Sequence, residues 1–251
     1  MKLGIKNLII ISAVAILMLM VLIAGRVTNV SDNTNTSIAP GTVSAMPTPT
    51  PAPSPTRVPL DSNKTWFTQE EMLDAFGPAP TPIPDDTTTT VLLNDSGKLY
   101  PYPNGSMSYY TDHAGAKDPT TDQLVAFLIT DDTYSNKFVP GKFVCVNFAI
   151  MLHDHAESRG IKAHMASVLF TGGPESDSGH MINAFNTTDA GWVLVDATGP
   201  VSDDGVIGCV LIDGSIHSGD IYKGILLRKQ DGKWGLFNAE TGNVVNSVDI
   251  I

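Results

Sequence analysis

A long apolar run close to the N-terminus sets the first constraint on how this chain can fold. Residues 8–25 contain no charged side chain, and Lys2 and Lys6 precede them while Arg26 follows. Eighteen helical residues rise about 1.5 Å each, which nearly spans a hydrocarbon core of about 30 Å. We therefore predict that residues 1–26 form an N-terminal transmembrane anchor or a signal segment.

The charges beside this run predict its orientation. Two lysines and the amino terminus come before the run and only Arg26 comes after it, which favours a cytoplasmic N-terminus. The predicted location is the cell membrane, with a single pass and the C-terminal domain outside. Ala24 and Gly25 near the end of the run also fit a cleavage site, so secretion after signal cleavage is the alternative.

A segment rich in proline, threonine and serine follows the apolar run. Residues 46–59 alternate proline with small residues, which is typical of an extended, polyproline-like spacer. Thr68 and Glu71 have the spacing of a capping box and predict one short helix. We predict an extracellular linker over residues 27–90 and a folded domain over residues 91–251, a usual size for a single domain.

The domain sequence predicts two helices followed by several strands. A capping box at Thr120 and Gln123 opens the first helix, and the second begins at Cys145 and ends at Gly160. Strand-like runs follow at 161–170, 179–185 and 191–197 and continue beyond residue 205, with a hairpin signal at Asp231-Gly232. This order predicts an α+β fold in which helices pack on an antiparallel β-sheet.

Charge and histidine spacing exclude some classes of partner. The formal net charge is −11, with 26 acidic and 15 basic residues, whereas nucleic-acid binding requires clustered Lys and Arg. His153 and His155 are two residues apart on the second helix and therefore point to different faces. We predict no nucleic-acid partner, no cofactor and no metal, with these histidines solvated or packed.

Cys145 is the candidate nucleophile, because a thiolate at a helix start is stabilised by the helix dipole. Such a thiolate needs a base and a group that orients the base, and His180 and Asp196 on successive strands can supply them. A hairpin turn centred on Thr188 would place His180 directly opposite Asp196, with Cβ atoms about 5 Å apart. A histidine and an aspartate on apolar strand faces each need a polar partner, and each satisfies the other.

Three segments, CVNFAIMLHDHAESRGIKA, GHMINAF and GWVLVDAT, resemble the transglutaminase-like superfamily, and most of all its membrane-anchored archaeal members. The resemblance covers roughly residues 118–200. It implies a papain-like core in which Cys145 is the nucleophile, His180 the general acid and base, and Asp196 the orienting carboxylate.

The residues beside this triad depart from the pattern of characterised transglutaminases. Those enzymes usually have glycine shortly before the cysteine and tryptophan after it, where this chain has Phe143-Val144 and Val146. Their aspartate is commonly followed by proline, and here Ala197 follows. The resemblance therefore implies the triad without implying the acceptor specificity. The backbone N–H of Cys145 is one expected oxyanion donor.

The predicted function is acyl transfer or hydrolysis at peptide or amide bonds by an exported, membrane-tethered cysteine enzyme. A cysteine peptidase, an amidase and a transglutaminase-type acyl transferase all fit, each with a peptide or protein substrate that can lie at the cell surface. The alternative is a non-catalytic cell-surface binding module on the same fold. A disulfide between Cys145 and Cys209 would favour that alternative, because a bridged cysteine cannot attack a carbonyl.

Overall fold

A computed structural model describes residues 57–91, 108–198 and 207–251. The predicted anchor over residues 1–26 and the proline-rich spacer over residues 46–56 lie outside these ranges. Within them, no helix combines the length and apolar character needed to cross a membrane.

Two strands that the sequence did not predict precede the two helices of the predicted domain, and the strands of the main sheet follow those helices as predicted. The elements before the main sheet are α1 (Gln69–Phe76), β1 (Thr87–Val91), β2 (Tyr109–His113), α2 (Thr121–Leu128), a 3₁₀ turn (Thr133–Ser135) and α3 (Cys145–Ser158). The main sheet contains β3 (His164–Gly172), β4 (Gly179–Thr187), β5 (Gly191–Asp196), β6 (Ile207–Asp213), β7 (Ile221–Gln230) and β8 (Lys233–Ile250). The fold is α+β with antiparallel pairing, as predicted.

The six strands β3 to β8 form a closed barrel, which the sequence did not predict. Consecutive strands pair antiparallel, and β8 returns to pair with β3. β8 achieves this through its length of 18 residues, since its first part pairs with β7 and its last part with β3. Closure leaves the barrel without a free edge strand.

Local signals in the sequence explain the element boundaries. At α2, the Gln123 N–H donates to Thr120 Oγ1 over 3.2 Å, and the Thr120 N–H donates to Gln123 Oε1 over 2.8 Å. The same reciprocal bonds join Thr68 and Glu71 at α1. These bonds satisfy N–H groups that the first helical turn leaves free, so both predicted capping boxes are confirmed.

The predicted hairpin at Asp231-Gly232 is also confirmed. Gln230 pairs with Lys233, which leaves a two-residue turn between β7 and β8. Asp231 has φ 51° and Gly232 has φ 73°. Two successive positive φ angles define the type I′ turn, whose twist matches that of the adjoining strands.

Alternation along the strands creates two apolar layers. One lies inside the barrel and contains Ala166, Val168, Phe170, Ile182, Ala184, Leu194, Val210, Ile212, Tyr222 and Val245. The other joins the outer barrel face to the helices, and Phe185 and Val195 belong to it. Because side chains alternate between the faces of a strand, His180 shares the inner face with Ile182, and Asp196 shares it with Leu194.

The predicted boundary between linker and domain needs correction. Phe67, Met72 and Phe76 are buried in the layer between helices and barrel. Phe67 and Trp234 also exchange two backbone hydrogen bonds of 2.7 Å each. The packed structure therefore starts at Phe67 or earlier and not near Val91. Proline-rich flanks give this region the composition of a linker, whereas the burial of α1 depends on partners far along the chain.

Candidate active site

Cys145 is the first residue of α3. The residue before it, Val144, is extended with φ −122° and ψ −178°, and its N–H donates to Asn147 Oδ1 over 2.9 Å. This side-chain bond fixes the chain where it enters the helix. The thiol consequently lies at the positive end of a 14-residue helix dipole.

Packing of α3 against β4 brings His180 to the thiol. Asn183 of β4 donates from Nδ2 to the carbonyl oxygen of Ala149 over 2.9 Å. Met181 is buried with Val146 and Ala149 between the helix and the strand. With the strand held in this way, the His180 imidazole lies close enough to the Cys145 thiol to lower its pKa.

Asp196 lies on the other side of the imidazole ring. The distance between His180 Nε2 and Asp196 Oδ2 is 2.8 Å. Because Nε2 is bound to the carboxylate, Nδ1 is the ring nitrogen that can serve the thiol. The structure thus brings the three predicted site residues into one chain of contacts, with the imidazole in the middle.

The hairpin between β4 and β5 does not have the register that a turn centred on Thr188 would give, so His180 and Asp196 are not directly paired. Thr187 pairs with Gly191 and Asn183 with Val195, so the turn centres on residue 189 and not on Thr188. Moving the centre by one residue moves every partner by two and keeps each side chain on its face. His180 therefore reaches Asp196 as a diagonal neighbour on the inner face of the barrel.

Two further residues bind the Asp196 carboxylate. Thr198 donates to Oδ1 from its N–H over 2.9 Å and also from its hydroxyl. The Tyr222 hydroxyl donates to Oδ2 over 3.1 Å. With His180, these donors surround a carboxylate that burial would otherwise penalise.

Sequence analysis missed both of these residues. Thr198 lies two positions after Asp196, and this spacing is typical of an aspartate that accepts from the backbone of a following turn. Tyr222 carries no such local signal, because it reaches the site from β7 through the barrel interior.

The contacts shift the pKa values toward an ion pair. Burial would raise the pKa of the Cys145 thiol, but the hydrogen bond and charge of His180, with the N–H groups of Met181 and Val146, lower it overall. Burial would lower the pKa of His180, yet the charge and hydrogen bond of Asp196 hold it well above its usual value. Burial opposes ionisation of Asp196 too, but His180 and Thr198 lower its pKa to about 2. These directions favour a thiolate, an imidazolium and a carboxylate.

The two cysteines of the described residues are free thiols with different environments. Cys145 is partly exposed, whereas Cys209 on β6 is completely buried in the layer between barrel and helices. Burial raises the pKa of Cys209. Cys145 is therefore the thiol that a solvent molecule or a substrate can reach.

Comparison of the chain with models of known protein families, with curated proteins and with solved structures found no match. The fold and the site together define a class of protein. The class is an α+β protein with a closed six-stranded barrel and a Cys–His–Asp arrangement at the start of a helix packed on that barrel.

Proposed function

We propose that this chain is a cysteine enzyme that cleaves or transfers acyl groups at amide or peptide bonds, within a transglutaminase-like, papain-like fold. One observation carries the proposal. A partly exposed thiol at a helix start lies beside the His180 imidazole, which lowers the thiol pKa, and a buried carboxylate lies 2.8 Å from Nε2 of that ring. Activated cysteine nucleophiles require this arrangement of thiol, base and orienting group.

The first half of the reaction forms a thioester. The Cys145 thiolate attacks the carbonyl carbon of the amide, and the electron pair of the C=O bond moves to the oxygen. The N–H of Cys145, at the positive end of α3, is the donor that we assign to this oxyanion. As the tetrahedral intermediate collapses, the C–N bond breaks and the leaving amine takes a proton from His180.

The second half releases the acyl group. His180, now neutral, accepts a proton from the attacking water or amine, which adds to the thioester carbon. The C–S bond then breaks and restores the thiolate beside an imidazolium. Asp196 stays ionised through both halves, where it orients the ring and stabilises its positive charge.

Water is the acceptor that we favour, because hydrolysis needs no second binding site. The substrate is then a peptide or protein, met outside the membrane if residues 1–26 anchor the chain as predicted. A peptide-binding module without catalysis is the second candidate. Partial exposure of Cys145 fits both candidates, but only catalysis requires the ion pair.

Alkylation of the full-length chain, purified in mild detergent, tests the ion pair. We expect iodoacetamide to modify Cys145 well below pH 8.5, the ordinary pKa of a thiol, while Cys209 reacts only after unfolding. His180→Gln should return Cys145 to the pH profile of an ordinary thiol. His164→Gln changes a histidine outside the site and serves as the matched control. An ordinary profile for the unmodified chain, or one unaffected by His180→Gln, contradicts the ion pair.

Acyl transfer itself needs a separate measurement. The chain is incubated with denatured protein substrates in the presence of hydroxylamine, which traps thioesters as hydroxamates. New N-termini identify peptide hydrolysis, ammonia release identifies side-chain amide cleavage, and Cys145→Ala should abolish every product. An intact ion pair without any product would support the binding module.

A further inference from the structure

A second group of ionisable side chains lies where β2 packs against the last two turns of α3. It contains Asp112 of β2 with His153 and Glu157 of α3, and one ligand atom from each lies within 4.8 Å of the other two. His153 and Glu157 are four residues apart and so lie on the same helical face. The proposed catalytic mechanism uses none of these three residues.

The imidazole of His153 is buried with one nitrogen unsatisfied. The side chain is 0% exposed, and its Nε2 has no hydrogen-bond partner among the described residues. Asp112 Oδ1 lies 3.5 Å from this Nε2. A buried nitrogen without a partner requires an explanation, and coordination of an ion is a common one.

The other ring nitrogen of His153 indicates which explanation applies. Nδ1 lies 3.3 Å from Asp154 Oδ1. With Nδ1–H donating to this carboxylate, Nε2 carries a lone pair that faces Asp112 Oδ1, and a ligand atom of Glu157 belongs to the same group. A lone pair and two carboxylates repel one another unless a cation lies between them. Donation from the second imidazole nitrogen to a carboxylate is also the usual arrangement of metal-bound histidine.

Both carboxylates of the group are held in place by other donors. Glu157 is 2% exposed, and its oxygens accept from the N–H groups of Ala163 over 2.7 Å and His113 over 2.9 Å. Asp112 Oδ2 accepts from the Thr90 hydroxyl over 3.2 Å, and among the described residues no hydrogen-bond donor binds Oδ1. Outer hydrogen bonds of this kind orient metal ligands before the metal binds.

We propose that Asp112, His153 and Glu157 bind a divalent transition-metal ion, with Zn²⁺ as the preferred occupant. Imidazole and carboxylate are zinc ligands, whereas Ca²⁺ takes oxygen ligands. Ligands about 2.0–2.1 Å from a tetrahedral zinc ion lie about 3.3 Å apart, which is close to the 3.5 Å between His153 Nε2 and Asp112 Oδ1.

The Asp112 side chain is 43% exposed, so the ion can enter there and keep a water ligand. The metal would fasten β2 to α3.

Zinc binding to the full-length chain in mild detergent tests the site. The Cys145→Ala variant is the host, since it removes the thiol that could otherwise bind zinc beside His180. Equilibrium dialysis should give one zinc ion per chain. Co²⁺ in its place should give the visible absorption of a four-coordinate ion. Zinc should also raise the unfolding temperature, because it binds only the folded state.

Asp112→Asn in this host should weaken zinc binding by at least about 100-fold, since loss of even an outer partner costs about 10- to 100-fold. The matched control is Asp132→Asn, which changes a carboxylate in the separate group of Asp131, Asp132 and His155. Zinc should bind this control as it binds the host.

Because misfolding of the Asp112→Asn variant would also abolish binding, a second measurement is made in the host with all three proposed ligands present. In the host, zinc should shift the ¹⁵N resonance of His153 Nε2 and leave Nδ1 hydrogen-bonded. Absence of saturable binding, unchanged affinity in Asp112→Asn, or loss of binding in Asp132→Asn alone would each overturn the proposal. Either of the first two results would mean that His153 and Asp112 lie side by side without an ion between them.

Discussion

The Asp196 carboxylate shows how single residues determine the chemistry of the candidate site. Removing a carboxylate from water costs free energy unless its oxygens accept hydrogen bonds. Thr198 and Tyr222 donate to the oxygens of Asp196, and His180 contacts Oδ2 over 2.8 Å. Because the carboxylate remains ionised, it raises the pKa of His180, and the imidazolium in turn lowers the pKa of Cys145.

Asp196→Asn removes the negative charge of this residue and keeps the size and shape of its side chain. Without the negative charge the pKa of His180 should fall and the pKa of Cys145 should rise. We expect the rate of Cys145 alkylation near pH 5.5 to fall by about tenfold or more, equivalent to about 1.4 kcal/mol. An NMR titration of the His180 ring gives the cause directly. An unchanged His180 titration would mean that Asp196 only holds the ring in position.

Helix α3 is the element that organises the described domain. Its start carries Cys145, its middle packs on β4, and His155 on a further face contacts the segment after α2. The distance between His155 Nδ1 and Asp131 Oδ1 is 2.6 Å, and Asp131 is 3% exposed. Helix α3 thereby connects Cys145 at its start to the segment that follows α2.

The pair of Asp131 and His155 should make stability depend on pH in a defined direction. The hydrogen bond to Asp131 raises the pKa of His155 although burial opposes this. The stabilisation from His155 is therefore complete below about pH 6.5 and lost as pH rises through the folded-state pKa. Burial would raise the pKa of Asp131, but His155 and Thr133 lower it overall. Its stabilisation is present above about pH 4 and lost as pH falls further.

His155→Gln should lower the free energy of unfolding by about 1 kcal/mol near pH 5.5, with a smaller effect near pH 9. Urea unfolding at the two pH values measures the difference. His217→Gln changes an exposed histidine outside this contact and should have little effect at either pH. If His155→Gln lowers the free energy of unfolding equally at both pH values, the contact between His155 and Asp131 stabilises the fold by packing and not by charge.

At the scale of the whole molecule, barrel closure assembles the site. His180 from β4, Asp196 from β5 and Tyr222 from β7 all point into one barrel interior. An open sheet would leave β7 two strands away from β5, whereas curvature lets Tyr222 cross the interior to Asp196. The apolar interior also gives the charge interactions at the site a low local dielectric.

Helix α1 is part of this molecule and not of a spacer, and Met72→Ala tests this. Met72 is 0% exposed within the layer between helices and barrel. Its truncation should lower the free energy of unfolding by about 2–5 kcal/mol, the usual cost of such a cavity. Glu70→Ala, on the exposed face of the same helix, should change it by less than about 0.5 kcal/mol. Similar small effects for both variants would mean that α1 does not contribute to the packed domain and belongs to the linker, as first predicted.

Short-range interactions explain what the sequence by itself determined. The capping boxes at Thr68 and Thr120, the start of α3 at Cys145 and the turn at Asp231-Gly232 depend on residues at most a few positions apart. Strand alternation also placed His180 and Asp196 on a common face, because a shift of two residues preserves that face. Contact between His180 and Asp196 could therefore be predicted, because both residues stay on one face whether the turn centres on Thr188 or on residue 189.

Long-range packing decided the remainder. Residues far apart in the chain are joined by the return of β8 to β3, by the burial of α1 and by the approach of Tyr222 to Asp196. The same holds for the group of Asp112, His153 and Glu157, where histidine spacing alone predicted no metal. A sequence records local preferences directly, whereas these contacts exist only once apolar faces have been buried together in one barrel and its helices.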